Sequence, residues 1–186
     1  MRISKTTVCW NLLLLLAIPC SVGAQAKSAQ DMQKSAGEFV QQFYDWYVPK
    51  ALKHNAGPAS DLALKYKGRV FSPKLSLALK EDSDAQAKVK GWIVGLDFDP
   101  FLNSQDSGER YEVGKATRKG GSYWVDVYGV WSGKKSEKAD VVAEVVRKNG
   151  RWFFVNFHYP NAANPRSGDL LSVLALLQED RHKYAK

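Results

Sequence analysis

Cysteine is almost absent: Cys9 and Cys20 are the only two in 186 residues, and both lie in the first 26. A domain that begins after residue 26 therefore has no disulfide, no thiol nucleophile and no cysteine ligand for a metal. Histidine is scarce as well, with three in the chain, and no H-E-x-x-H helix or G-x-S-x-G elbow is present. The zinc-protease and serine-hydrolase patterns are excluded on that ground. Long apolar runs are also missing. The longest, Leu12 to Ile18, falls well short of the roughly 20 apolar residues of a membrane helix, so no membrane span is expected. Basic residues are numerous but unclustered, scattered over the termini, turns and strand ends without an aromatic-basic stripe, and no nucleic-acid partner is expected.

What is present begins with a leader. Arg2 and Lys5 make a basic start, Leu12 to Ile18 an apolar run, and Ala24-Gln25-Ala26 the small residues a signal peptidase requires. Residues 1–26 are read as a Sec-type signal peptide cleaved after Ala26, and residues 27–186 as one periplasmic or secreted domain. Pro19 occupies the position before Cys20 where a lipidation signal wants Gly, Ala or Ser, which argues against a lipid anchor. Loss of Arg2 and Lys5 lowers the formal charge from +8 to +6, enough for solubility and a weak preference for anionic surfaces. All eight Phe, all eight Tyr and five of the six Trp follow the leader. A chain of this length can bury about 70% of its unfolded surface, so these rings suffice for a core without disulfides.

Helical periodicity dominates the first half. From Asp31 to His54, Ala36, Phe39, Val40, Phe43, Trp46 and Tyr47 recur at spacings of three and four and predict a long amphipathic helix that Pro49 ends or kinks. Asp61 to Phe71 reads as one or two irregular helical turns. Ser72-Pro73 reads as a cap and first helical residue, opening a helix to about Val89. Beyond Arg110 the period becomes two. Tyr111–Thr117, Tyr123–Trp131, Val141–Arg147 and Trp152–Tyr159 predict four strands, joined by Gly120-Gly121, a longer Ser132 to Lys138 loop and Asn149-Gly150, a dipeptide suited to a type I′ hairpin. Leu170, Leu171, Leu174 and Leu177 place one leucine face on a closing helix. The expected fold is α+β, with N-terminal helices on a curved four-stranded antiparallel meander and a C-terminal helix.

The chemistry concentrates in DFDPFLNSQD, residues 97 to 106. An EF-hand counted from Asp97 would place Phe101, Leu102 and Gly108 at its fifth, sixth and twelfth positions, which rules that motif out. No metal and no cofactor are assigned. Asp, Asn and Gln in such loops accept backbone N–H groups and fix turns, with Phe98, Phe101 and Leu102 as the apolar plug. The other use is a binding loop that meets a cationic partner. Candidate binding residues are Asp97, Asp99, Asn103, Gln105 and Asp106, with Tyr44 and Trp46, whose polar tips suit a cleft, and Trp92 nearby. Strand alternation places Trp152, Phe154, Asn156 and His158 on one face and Trp124, Asp126 and Tyr128 on another. Should the faces coincide, Asp126 and His158 could form an acid–base pair below Tyr44 or Tyr47. No catalytic residue is assigned.

FYDWYV on the first helix, the central SPKLSLAL, the loop GLDFDPFLNSQD and the strand pair ending NGRWFFVNFHYP resemble the DUF3828 family of exported bacterial proteins, over roughly Ala36 to Leu177. That resemblance implies an NTF2-like or cystatin-like fold, a curved sheet wrapped on a long helix, and no reaction. The expected function is a non-enzymatic binding or protein-interaction module of the periplasm, with a protein or envelope partner. One alternative is a small-molecule or acid–base site between first helix and sheet. A further one, by fold analogy, is an immunity protein against a secreted toxin.

Overall fold

The computed structural model describes residues 22–54, 58–161 and 168–184, with side chains from residue 28 to residue 183 of these. Residues 1–21, which hold most of the expected leader and both cysteines, lie outside the described residues. Helix α1 spans Val22–Ala51, α2 Ala59–Lys67, a 3₁₀ turn Gly68–Val70, α3 Pro73–Ala87 and α4 Leu170–Tyr184. Strands β1 Arg110–Lys119, β2 Ser122–Trp131, β3 Lys134–Lys135, β4 Val141–Lys148 and β5 Arg151–His158 form one antiparallel sheet ordered β1-β2-β4-β5, with β3 paired to the end of β2.

The sheet has five strands where four were expected. Ser132 and Gly133, with φ of 48° and 76°, form a two-residue turn that folds Lys134–Lys135 back onto Val130 and Trp131. A serine in the left-handed region is uncommon, so the loop concealed its hairpin. Asn149 (φ 49°) and Gly150 (φ 77°) make the type I′ turn as expected. Ser72 caps α3 by accepting the Leu75 amide at 3.3 Å, with Pro73 in the first helical position. Pro49 is carried inside the last turn of α1, which continues only to Ala51.

The spacing of Ala36, Val40, Phe43, Tyr44, Tyr47 and Val48 lays α1 across the sheet, and all six are buried. Phe43 sits centrally, its ring centroid within 6 Å of those of Tyr44, Tyr47, Phe71, Phe101 and Phe154. Burying each ring contributes about 1.5 to 3 kcal/mol. Val125, Val127, Ala143, Val145, Phe154 and Phe157 supply the sheet side. The centre of the space between first helix and sheet, expected as a pocket in the small-molecule alternative, is filled by these rings, while an open groove of about 440 Å³ lies at its edge between α1 and β1, lined by Gly37, Gln41 and Val113.

On β5 the simple alternation fails. Glu144 pairs with Asn156 but Val145 pairs with Phe154, which leaves Val155 as an unpaired bulge residue. Asn156 and His158 are thereby turned to the face opposite Phe154, and the expected shared face of Trp152, Phe154, Asn156 and His158 does not exist. Period-two patterning cannot reveal an inserted residue, because a one-residue slip inverts every later side chain.

Helix α4 is held beside α3 by an ion pair: Arg181 Nη1 lies 2.6 Å from Asp82 Oδ1, with side chains 20% and 7% exposed. Arg181 also donates to the Val94 carbonyl at 2.9 Å, and Asp82 Oδ2 accepts the Leu96 amide at 2.9 Å. Removing one member of so buried a pair strands its partner. Arg181→Met is expected to cost about 3 kcal/mol in denaturant unfolding, and Arg181→Met combined with Asp82→Leu less than the sum of the two single losses.

Candidate functional site

The loop from Asp97 to Asp106 folds on itself around Asp99. The Asp99 amide donates to the Ser104 carbonyl at 2.9 Å, and the Asp99 carbonyl accepts the amides of Leu102 (3.2 Å) and Asn103 (2.8 Å). Asp99 Oδ1 accepts the Phe101 and Leu102 amides at 2.9 and 3.3 Å. These are the side-chain-to-backbone bonds by which aspartate fixes a turn. Phe101 and Leu102 are thereby driven into the core, where they are 0% and 1% exposed.

Burying that turn leaves carbonyls to be satisfied, and phenols satisfy them. Tyr44 Oη donates to the Phe101 carbonyl at 2.7 Å, Tyr159 Oη to the Pro100 carbonyl at 2.9 Å, and Tyr111 Oη to the Leu102 carbonyl at 3.5 Å. Tyr47 Oη donates to Asp99 Oδ2 at 2.5 Å. Four hydroxyls from α1, β1 and the end of β5 thus meet four consecutive residues. Burial pushes all four phenols above their ordinary value, with nearby Asp99 adding to each. Burial also raises the Asp99 carboxyl from 3.8 to about 6, against the lowering effect of its bonds from Tyr47, Phe101 and Leu102.

Beside this knot, between the loop and the facing ends of α1 and α2, opens a cleft of about 480 Å³ lined among others by Asp97, Asp99, Gln105, Ser60, His54 and Ile93. That is the size of a small-molecule or side-chain pocket. The cleft unites three of the eight candidate residues. Asp97 is exposed, and its carbonyl accepts Gln105 Nε2 at 3.2 Å. Trp92 stands on the adjoining tip, 79% exposed. The other four do not converge on it. Asn103, at φ 52°, donates to the Asp140 carbonyl at 3.1 Å, and Asp106 is exposed with its amide on Ser104 Oγ at 3.2 Å. Tyr44, expected to reach a cleft, is 1% exposed with its hydroxyl committed. Trp46 is half-buried under the ammonium groups of Lys50 and Lys67. Sequence reasoning missed Tyr111, Tyr159, Ser60 and His54 at this place. The one available signal was the i, i+3 pair Tyr44 and Tyr47 on an otherwise apolar face.

Asp126 and His158 do not pair. His158 Nε2 lies 2.9 Å from Glu144 Oε2, and its ring stacks on Trp124 at 3.9 Å between centroids. In register, Val142 stands between Asp126 and His158. Both are on the face away from α1, because Val125 and Val127 take the inward positions of β2. Among the described residues no three His, Cys, Asp or Glu converge as a metal-holding group.

No family model and no curated protein matches the chain. A solved structure that it resembles is a protein of unknown function from Bacteroides thetaiotaomicron VPI-5482, with a TM-score of 0.50 at 18% identity, covering 74% of this chain and 98% of that one. At that identity the likeness concerns the fold alone, an α+β architecture of helices and an antiparallel sheet.

Two outcomes are expected from the knot. Tyr44→Phe leaves the buried Phe101 carbonyl without a donor and should cost about 1 to 3 kcal/mol, read as a lowered unfolding midpoint. Because the folded Asp99 carboxyl titrates near 6 rather than 3.8, its contribution to stability is fully present below pH 3.8 and is lost as pH rises through about 6. Unfolding free energies measured across that window should fall with pH in the wild type, and Asp99→Asn should flatten that part of the profile.

Proposed function

We propose that this protein is a non-enzymatic binding module that receives a cationic group of its partner in the cleft beside the acidic loop. The observation that carries this reading is the charge imbalance of the cleft. Among the described residues neither Asp97 nor Asp99 enters an ion pair, although the chain as a whole carries +8. In so basic a protein, two carboxylates left without a cation around one concavity make a site complementary to an ammonium or guanidinium group. Ser60 and Gln105 add hydrogen-bonding groups, and Ile93 and Phe98 give the wall an apolar part for the stem of such a side chain.

The two carboxylates divide the work. Asp99 is braced by Tyr47 and the loop amides, whereas Asp97 is exposed and its carboxylate makes no hydrogen bond with the described residues. Asp97 is therefore the group free to meet a ligand. The module is proposed to act outside the cytoplasm, a placement supported by the leader-like residues 1–26 and by the resemblance to the DUF3828 family.

The test is an NMR titration of the wild type and Asp97→Asn with arginine amide and with spermidine as probes. Shifts should concentrate at Ser60, Ile93, Asp97 and Gln105, and Asp97→Asn should weaken binding about tenfold or more, the worth of one charge-assisted bond, with the unfolding midpoint unchanged. Shifts spread over other surfaces, or an affinity indifferent to Asp97, would remove the proposal.

A further inference from the structure

Among the described residues Trp92 and Ile93 are the most exposed large apolar side chains, at 79% and 71%. They stand together at the tip of the connection leaving α3, where Gly91 takes a φ of 84° that a side chain would resist. The tip is held in place. Gln86 Nε2 donates to the Trp92 carbonyl at 3.0 Å, and Gln86 Oε1 accepts the Val94 and Gly95 amides at 2.8 and 3.1 Å. One glutamine of α3 thus fixes the backbone on both sides of Ile93 while the Trp92 and Ile93 side chains stay in solvent. Leu52, 52% exposed, directly follows the end of α1. Ile93 lines the cleft with Ala51 and His54, which brings the end of α1 to the same cleft.

Cations flank the tip. Lys88 and Lys90 immediately precede it and are exposed. Of the three acids on α3, Asp84 is bound by Lys80 and Asp82 by Arg181, and Glu81 lines a separate groove with Lys74 and Arg181, seven residues before Lys88. Asp97, an exposed acid, lines the same cleft as Ile93. A tryptophan beside an aliphatic residue, bordered by lysines, has the composition of an interfacial anchor. The indole settles at head-group depth, the aliphatic side chain reaches the acyl boundary, and the ammonium groups face lipid phosphates. Among the described residues no helix is long and apolar enough to cross a membrane, so the contact is peripheral.

We infer that the Trp92–Ile93 tip docks the protein on an anionic lipid surface, with Lys88 and Lys90 against the head groups. Ile93 is shared with the wall of the cleft, whereas Trp92, Lys88 and Lys90 do not line it, so their substitution tests the docking without touching the cleft.

The experiment uses vesicles of phosphatidylglycerol or of phosphatidylcholine, each with and without bromine on the acyl chains. Trp92→Phe keeps an apolar tip but removes its indole. The difference in fluorescence between wild type and this variant therefore isolates Trp92 from the other tryptophans. The expected result is that this difference signal is quenched by brominated phosphatidylglycerol and not by brominated phosphatidylcholine. Lys88→Gln with Lys90→Gln should weaken phosphatidylglycerol binding about twenty-five-fold, at about fivefold per lysine. Binding without quenching of Trp92, or equal quenching by the neutral lipid, would overturn the inference. So would a Trp92 signal that shifts with protein concentration in the absence of lipid, which would assign the tip to a contact between copies of the chain.

Discussion

Four tyrosine hydroxyls aimed at four consecutive residues are the constraint from which the rest of the molecule follows. A turn cannot enter a hydrocarbon core unless its carbonyls find donors. Residues 99 to 102 enter it because Tyr44, Tyr47, Tyr111 and Tyr159 bring donors at the ends of apolar rings. A phenol is suited to the task, since its ring packs as core while its oxygen extends to the buried polar group. The rings come from the first helix, the first strand and the segment after the last strand, so the loop ties together parts of the chain distant in sequence. Phe101, inserted by the turn, stacks on Phe71 and meets Phe43, Tyr47 and Phe157. The loop is thereby a member of the core.

This explains why the acidic loop serves two ends with different residues. Asp99 is consumed by structure: both its oxygens accept bonds, and burial raises its pKa to about 6. Asn103 is consumed likewise, reaching the Asp140 carbonyl, while Asp140 itself accepts the Gly129 amide at 2.7 Å and so secures the β2 end of the sheet. Asp97, two residues before Asp99, is exposed on the cleft side. The rigidity provided by Asp99 holds the neighbouring carboxylate in a fixed place, and a site on a rigid support loses less entropy on binding.

Much of the fold was legible wherever a local rule fixes a local shape. The apolar spacing of α1 specified most of its buried face, Ala36, Val40, Phe43 and Tyr47, though Phe39 and Trp46 are only partly buried and Tyr44 and Val48 join it; Ser72-Pro73 specified the start of α3 and Asn149-Gly150 a hairpin, because each depends on residues within one turn of one another. The bulge at Val155 and the Ser132-Gly133 turn were not legible, since each depends on what the partner strand requires. The site was legible in part. Aspartates before proline and among aromatics marked the loop as special, and the cleft contains Asp97, Asp99 and Gln105. Which tyrosines would reach it was hidden, because Tyr44 and Tyr47 look like ordinary core positions and Tyr111 and Tyr159 approach from the sheet at long sequence separation. Tyr44 was assigned to a cleft for its polar tip, and that tip is spent on the Phe101 carbonyl.

The two limbs that flank Asp97 in the chain are held by different machinery. Residues 99 to 102 are fixed by phenols of the helix-and-sheet body. Residues 92 to 96, of which Ile93 and Leu96 line the cleft, are fixed from α3 by Gln86 and Asp82 and from α4 by Arg181, through the Trp92 and Val94 carbonyls and the Val94, Gly95 and Leu96 amides. Gly95 is required there, because a Cβ would stand 2.7 Å from Asp82 Oδ2. Helix α4 is in turn anchored to β5, where Asp169 caps its first turn through the Ser172 amide and hydroxyl while accepting Asn156 Nδ2 at 2.8 Å. Asn156 occupies its position because the Val155 bulge turned it outward. The irregularity that defeats a period-two reading of β5 therefore supplies the residue that seats α4, and through Arg181 α4 helps set the position of the limb that leads into the acidic loop.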